Sequence, residues 1–190
     1  MRLFVALDID DAIQQRLDDY VRTLQPRLPR VRFVASSNYH VTLKFLGEVQ
    51  SAEPVRERLQ KVGVAPFEVT LANVGFFPNE HAPRVFWAGI NAPLMPGLAR
   101  SVDELLQGLG FPQEREFHPH LTLARNGSGR PRPRRGERSP EAFAQLSKIV
   151  SSSPAPEFGT MAAREFFLYE SKLSSVGPSY YKLERFELAG

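Results

Sequence analysis

Cysteine is absent from the 190-residue chain. Its absence excludes disulfides, thiolate metal sites and a cysteine nucleophile, and it suits a cytoplasmic protein. Long apolar runs are missing as well. No stretch approaches the roughly 20 residues that a membrane span needs, so no membrane partner is expected. The opening run Arg2–Leu7 meets acids at once, at Asp8 and Asp10, and reads as a first strand rather than a signal peptide. No Gly-x-Ser-x-Gly elbow is present, which leaves no serine nucleophile of that kind. Histidine is scarce, with only four in the chain, so any pattern among them carries weight.

The chain holds 42% hydrophobic and 24% charged residues, which places it among ordinary soluble globular proteins. Its net charge of +3 and pI near 9.4 form a mild basic bias, compatible with an anionic ligand. The cations are mostly arginine, whose planar donor fork suits phosphate.

Periodicity supplies the organisation. Residues 2–7 read as a buried strand, and Asp8 or Asp10 is placed to cap the next helix, whose Ile13, Leu17, Val21 and Leu24 recur at helical spacing. Pro26 and Pro29 end that helix. Residues 31–34 read as a short strand and 39–46 as a longer one closed by Gly47. Glu53-Pro54 opens a second helix carrying Val55, Leu59 and Val62, with Gly63 at its end. Residues 67–71 alternate as a strand, 76–83 are turn-rich, and 84–90 form another strand. Leu94, Leu98, Val102, Leu105 and Leu109 mark a third helix. Ser139-Pro140-Glu141 starts a fourth, with Phe143, Leu146 and Ile149. Strands at 165–170 and 180–188 close the chain. From Asn126 to Arg138 no side chain is large and apolar enough to anchor a core, so this arginine-rich stretch is expected to be an exposed, flexible loop.

Two histidines share one frame. His40-Val41-Thr42-Leu43 and His120-Leu121-Thr122-Leu123 lie 80 residues apart (120 − 40). Side chains on a strand alternate between faces. His40 and Thr42 therefore face one way, and Val41 and Leu43 pack behind; the second copy repeats this. Adjacent strands would bring two imidazoles and two hydroxyls into one cleft. Imidazole titrates near neutrality, so one ring can act as base and its partner as acid. The hydroxyls of Thr42 and Thr122 can donate to phosphoryl oxygens. Such a set suits in-line opening of a phosphodiester by water, with cations offsetting the phosphoryl charge. A metal would need a third ligand; His118 shares parity with His120, but Pro119 interrupts regular pairing between them. No metal or other cofactor is expected.

The paired motifs resemble those of the 2H phosphoesterases, and most closely the LigT-like RNA 2′,3′-cyclic phosphodiesterases, also called 2′-5′ RNA ligases. The likeness extends to Arg2–Ala6, to Asn38–Gly47, to Phe76-Phe77-Pro78, to Arg84–Trp87, to Pro119–Arg125, and to Ser171-Lys172-Leu173, Gly177 and Tyr180. It implies an α+β fold that is bilobal, with two pseudo-symmetric antiparallel sheets flanked by helices around a central cleft, all within one domain spanning 1–190. It implies metal-independent hydrolysis of RNA or nucleoside 2′,3′-cyclic phosphates to 2′-phosphates, with 2′-5′ joining of RNA ends as a related reaction. By the same likeness His40 is the proton donor and His120 the proton acceptor; their residue types alone leave the two roles exchangeable. Arg125 matches the family's phosphate-binding arginine. Strict parity turns it away from His120, so it contributes only if the strand ends or bulges near Ala124. Rival readings are a related activity on ADP-ribose cyclic phosphate or 2′-5′ oligonucleotides, and a non-catalytic RNA-binding module.

The expected partners are RNA ends or nucleoside 2′,3′-cyclic phosphates, bound by a monomer. Arg130, Arg132, Arg134 and Arg135, with Arg138, are candidates for holding an RNA backbone, although a charge run can equally be a solvated surface. Trp87, Phe86, Tyr39 and Phe45 are expected in the core, and His118 and His81 outside the chemistry. Tyr180 lies where it can either reach the cleft or pack.

Overall fold

The computed structural model describes residues 1–114, 116–127, 140–175 and 177–190. The arginines at 130, 132, 134, 135 and 138 lie outside these residues. Among the described residues eight strands pair, every pair antiparallel: β1 (Arg2–Leu7), β2 (Val41–Glu48), β3 (Phe67–Phe77), β4 (Val85–Asn91), β5 (His120–Arg125), β6 (Glu157–Ala163), β7 (Glu165–Ser174) and β8 (Gly177–Glu187). Helices α1 (Asp11–Leu24), α2 (Glu53–Leu59), α3 (Met95–Gln107) and α4 (Pro140–Ser151) alternate with them. The spatial order is β6-β3-β4-β5-β2-β1-β7-β8. Two four-stranded halves thus join edge to edge through the two histidine strands.

The join is slight. Only Val41 and Leu121 are registered partners between β2 and β5. Beyond that pair β5 finds other company: the Val34 amide donates to the Leu123 carbonyl at 2.8 Å, and Phe33 bridges Ala124. This is what becomes of the short strand expected at 31–34. It fills the edge that β2 leaves, and the halves splay apart into a cleft on the face opposite the main core.

Alternation and helical spacing decide which side chains enter that core. Ile13, Leu17, Val21 and Leu24 of α1 are all buried, as their spacing requires, and α1 packs against β6. Asp10 occupies the N-cap position of α1, but its side chain makes no capping bond, and Asp8 instead contacts Lys182. α3 buries Leu98, Val102 and Leu106 against β2, with α2 alongside; Leu94 is exposed at its start. Tyr39 and Phe86 are buried as expected.

Strand β6 has no counterpart among the sequence-predicted elements. Its buried residues are Phe158, Met161 and Ala163, which do not keep one parity, because Gly159 sits at φ 121° where the β3 register shifts. A bulge resets the alternation that would have announced the strand. On β3, Asn73 takes a positive φ of 63° beside the same irregularity, and the strand runs six residues past the predicted Leu71, to Phe77.

One buried ion pair braces the histidine strands from behind. Lys44, 2% exposed, contacts the Asp103 carboxylate of α3 and donates to the Pro112 carbonyl at 2.8 Å. The other Asp103 oxygen accepts from the Glu114 amide at 3.0 Å. Lys44 follows the first motif, and residues 112–114 lead into the second, so the pair ties one histidine strand to the approach of the other. Removing one partner of a buried pair typically costs about 3–5 kcal/mol, because it strands the other charge. Lys44→Met is therefore expected to lower the melting temperature by about 2–4 °C for each kcal/mol lost. Adding Asp103→Asn, which keeps an acceptor for Glu114, should restore much of the loss. A double variant no more stable than the single one in calorimetry would show that charge burial is not the cause.

Candidate active site

His40, Thr42, His120 and Thr122 all line one cleft of about 370 Å³, together with Arg125. Parity alone would turn Arg125 away, and a bulge turns it back. On β4, Trp87 and Phe86 are adjacent, yet their partners on β5 are Thr122 and Ala124, leaving Leu123 as an extra residue. Leu123 and Ala124 are both buried, and Arg125 emerges on the open face. The condition attached to Arg125 is met at Leu123.

The first motif carries the same irregularity. Val5 and Ala6 of β1 pair with Lys44 and Thr42, leaving Leu43 extra. Leu43 and Lys44 are both buried, and Phe45 returns to the open face. The internal repeat is therefore longer than His-x-Thr: it includes the leucine bulge and the residue after the next. Phe45 and Arg125 are equivalent positions on the two halves. Phe45 was expected in the core; it is 48% exposed in the cleft, because the bulge moves it there.

Each imidazole is held in the same way. His40 Nδ1 lies 2.8 Å from the carbonyl of Asn38, and His120 Nδ1 lies 2.7 Å from that of His118. A carbonyl only accepts, so Nδ1–H donates and the second nitrogen, Nε2, is left for chemistry. Each ring also meets an aromatic edge. Tyr180 is perpendicular to His40 at 5.1 Å, and Phe77 to His120 at 4.9 Å. His40 additionally rests on Phe4 at 4.9 Å, within a small apolar cluster of Phe4, Ala6, Phe167 and Tyr169 on the cleft side.

This packing controls protonation. Burial pushes the His40 pKa down to about 4, with the Arg125 guanidinium acting in the same direction and the Asn38 carbonyl opposing it. Burial also lowers His120, again aided by Arg125 and opposed by the His118 carbonyl. Both shifts favour the neutral ring in the open cleft. Arg125 donates to Thr122 Oγ1 at 3.3 Å, which leaves the threonine hydrogen free to point at a ligand oxygen.

His118 is not part of the cleft lining; its Nε2 meets Glu116 at 3.0 Å. Among the described residues no group of three or more His, Cys, Asp or Glu side chains is arranged to hold a metal. Trp87 and Phe86 do not line the cleft either, while Tyr180 does. Sequence reasoning missed Arg2, Asn38, Ser171 and Leu173 as cleft residues. Asn38 had a legible signal, standing two residues before His40 as His118 stands before His120. It also donates to the Pro178 carbonyl at 2.9 Å, tying the β7–β8 hairpin to the first motif.

The electrostatics yield a direct test. Proton NMR titration of the imidazole resonances should give midpoints below 6.5 for both site histidines, with His40 near 4. Saturating inorganic phosphate should raise both, because an anion favours the imidazolium form. Midpoints at or above 6.5 in the free protein would contradict the burial argument.

The comparisons with known proteins point to one family. The family model described as LigT like Phosphoesterase matches residues 7–87 and 92–180. A protein of Archaeoglobus fulgidus named RNA 2′,3′-cyclic phosphodiesterase is 36% identical, over 98% of this chain and 100% of its own. A solved Thermus thermophilus structure superposes with a TM-score of 0.78 at 29% identity, covering 100% of this chain and 99% of that one. The E. coli LigT structure complexed with 3′-AMP gives a TM-score of 0.76 at 29% identity, covering 100% and 98%. Among the described residues no helix is long and apolar enough to cross a membrane. With the repeated motifs on facing strands and a family model covering most of its length, the chain belongs to the LigT-like phosphoesterase family.

Proposed function

We propose that the protein hydrolyses ribose 2′,3′-cyclic phosphates, on RNA ends or nucleosides, to 2′-phosphates without a metal. One observation carries the reading: the His-x-Thr unit occurs twice around one cleft, each ring fixed at Nδ1 by a carbonyl two residues earlier. A binding module has no need of two matched, tautomer-fixed imidazoles. The Archaeoglobus relative's name and the 3′-AMP bound to E. coli LigT support the nucleotide character of the ligand.

In this reading water attacks phosphorus, the P–O3′ bond breaks, and phosphate stays on O2′. His120 Nε2 takes the proton of the water, and His40 Nε2–H delivers one to the departing O3′. The hydroxyls of Thr42 and Thr122 and the Arg125 guanidinium hold the non-bridging oxygens. Phe45 offers an exposed ring on which a base can stack. A 5′-hydroxyl in place of water would give a 2′-5′ linkage by the same displacement.

His40 has to be protonated to serve as the acid, although burial opposes this in the free protein. The substrate phosphate supplies the missing charge. The profile of kcat/KM, which reports the free protein, should accordingly be bell-shaped with its maximum below pH 6.5. The profile of kcat, which reports the complex, should lie at higher pH. Coincident profiles would mean that the substrate does not restore the imidazolium.

The principal test is incubation with 2′,3′-cyclic AMP in EDTA. Formation of 2′-AMP is expected, with His40→Ala and His120→Ala each slowing it by about 10²–10⁴-fold. Full activity in both variants, or loss in EDTA, would overturn the proposal. A diester with a 4-nitrophenolate leaving group separates the roles. It needs no acid, so it should largely rescue His40→Ala and not His120→Ala; the opposite pattern would exchange them.

A further inference from the structure

We propose that Arg2, with Ser171 and Tyr180, forms a second phosphate subsite that receives the internucleotide phosphate next to the reacting end of an RNA strand. The inference rests on the cyclic phosphodiesterase reading above and specifies its substrate as a polynucleotide end rather than a free nucleotide.

Three strands place these residues in one row. Arg2 of β1 is registered with Ser171 of β7, and Ser171 with Tyr180 of β8. All three line the cleft. Neighbouring strands lie about 4.8 Å apart, so the row spans roughly 10 Å. It presents a guanidinium flanked by two hydroxyls, a donor set that fits phosphate oxygens. Tyr180 joins the row to the reacting centre, since its ring meets His40 and its hydroxyl feels both Arg2 and Arg125.

Arg2 is available for an anion. Among the described residues it has no ion-pair or hydrogen-bond partner for its guanidinium; its recorded contact is with the Phe45 ring, 5.0 Å from the guanidinium carbon. That cation–π contact holds the head group in place without neutralising it. A surface arginine that served only solubility would more often lie against a carboxylate or in open solvent.

The spacing fits one nucleotide step. Phe4 lies against His40, and Arg2 is two residues further along the same strand and on the same face. Two strand residues span about 6.6 Å. That is the scale separating successive phosphates of an extended single strand. Phe45 is the registered partner of Phe4 and its ring meets Arg2, so it stands beside this step, where a base can stack.

The arrangement also breaks the internal symmetry. The reacting groups occur in equivalent pairs, but Phe45 replaces a counterpart to Arg125, and Arg2 stands on that side. A symmetric set of catalytic groups thereby acquires a direction along the strand.

The test compares adenosine 2′,3′-cyclic phosphate with the adenylyl dinucleotide carrying the same cyclic end. For the wild-type protein kcat/KM should favour the dinucleotide by about tenfold, with the difference in KM. In Arg2→Met, which keeps the side chain's length and loses its charge, that ratio should fall towards one. Arg2→Lys should retain part of it. An undiminished ratio in Arg2→Met would overturn the subsite. So would a ratio of one in the wild type. Binding of 3′-AMP and of diadenylate 3′-phosphate, measured by calorimetry, reads the same subsite without turnover. If the wild type hydrolyses neither cyclic substrate, the phosphodiesterase reading fails. The subsite then stands or falls on whether Arg2→Met erases the affinity gap between these two ligands.

Discussion

The cleft depends on how little joins its two walls. Val41 and Leu121 are the only registered partners between β2 and β5, so a continuous sheet ends there and two halves diverge. Longer pairing would bring the histidine strands flush and close the space between them. No pairing would leave the spacing of the imidazoles to the helices behind. The observed compromise needs a support on each side of the junction. In front, Val34 pairs with Leu123 where β2 departs. Behind, the Lys44–Asp103 pair connects the first motif to the residues that approach the second.

The bulges matter for the same reason. A strand that kept strict alternation could present His40, Thr42 and Lys44 to the cleft. Lys44 would then be the third group, and its charge would be lost to the core brace. The extra residue at Leu43 sends Lys44 inward and Phe45 outward. At Leu123 the same device sends Ala124 inward and Arg125 outward. One backbone irregularity, used twice, provides a buried cation for architecture, and an exposed aromatic ring and an exposed cation on the cleft face.

Much of this was legible before the structure. The His-x-Thr repeat located four cleft residues, because strand alternation is local and robust. Helical spacing identified the buried face of α1 for the same reason. What escaped depended on bulges or on distant register. Phe45 read as core since parity places it opposite His40 only if no residue is inserted. β6 was invisible because Gly159 interrupts its alternation. Arg2 and Ser171 belong to the cleft through pairing between the two ends of the chain, which no local pattern encodes. Arg125 was an intermediate case: its dependence on a bulge could be stated from the residues, but whether one occurs is decided by pairing with β4.

Burial of the histidines gives the cleft its chemical logic. An exposed pair would titrate near 6.5 and be partly cationic at neutral pH whatever was bound. Here burial, aided by Arg125, favours the neutral form of both rings. On the proposed mechanism the substrate's own phosphate offsets Arg125 and favours a proton on one imidazole. Protonation of the acid is, on that mechanism, coupled to occupancy, and the open cleft does not set two imidazolium charges against the Arg125 guanidinium. In the same proposed mechanism the guanidinium that would repel a protonated histidine in the empty protein is also one that holds the substrate phosphate. An electrostatic cost in one state is in this way the source of affinity in the other.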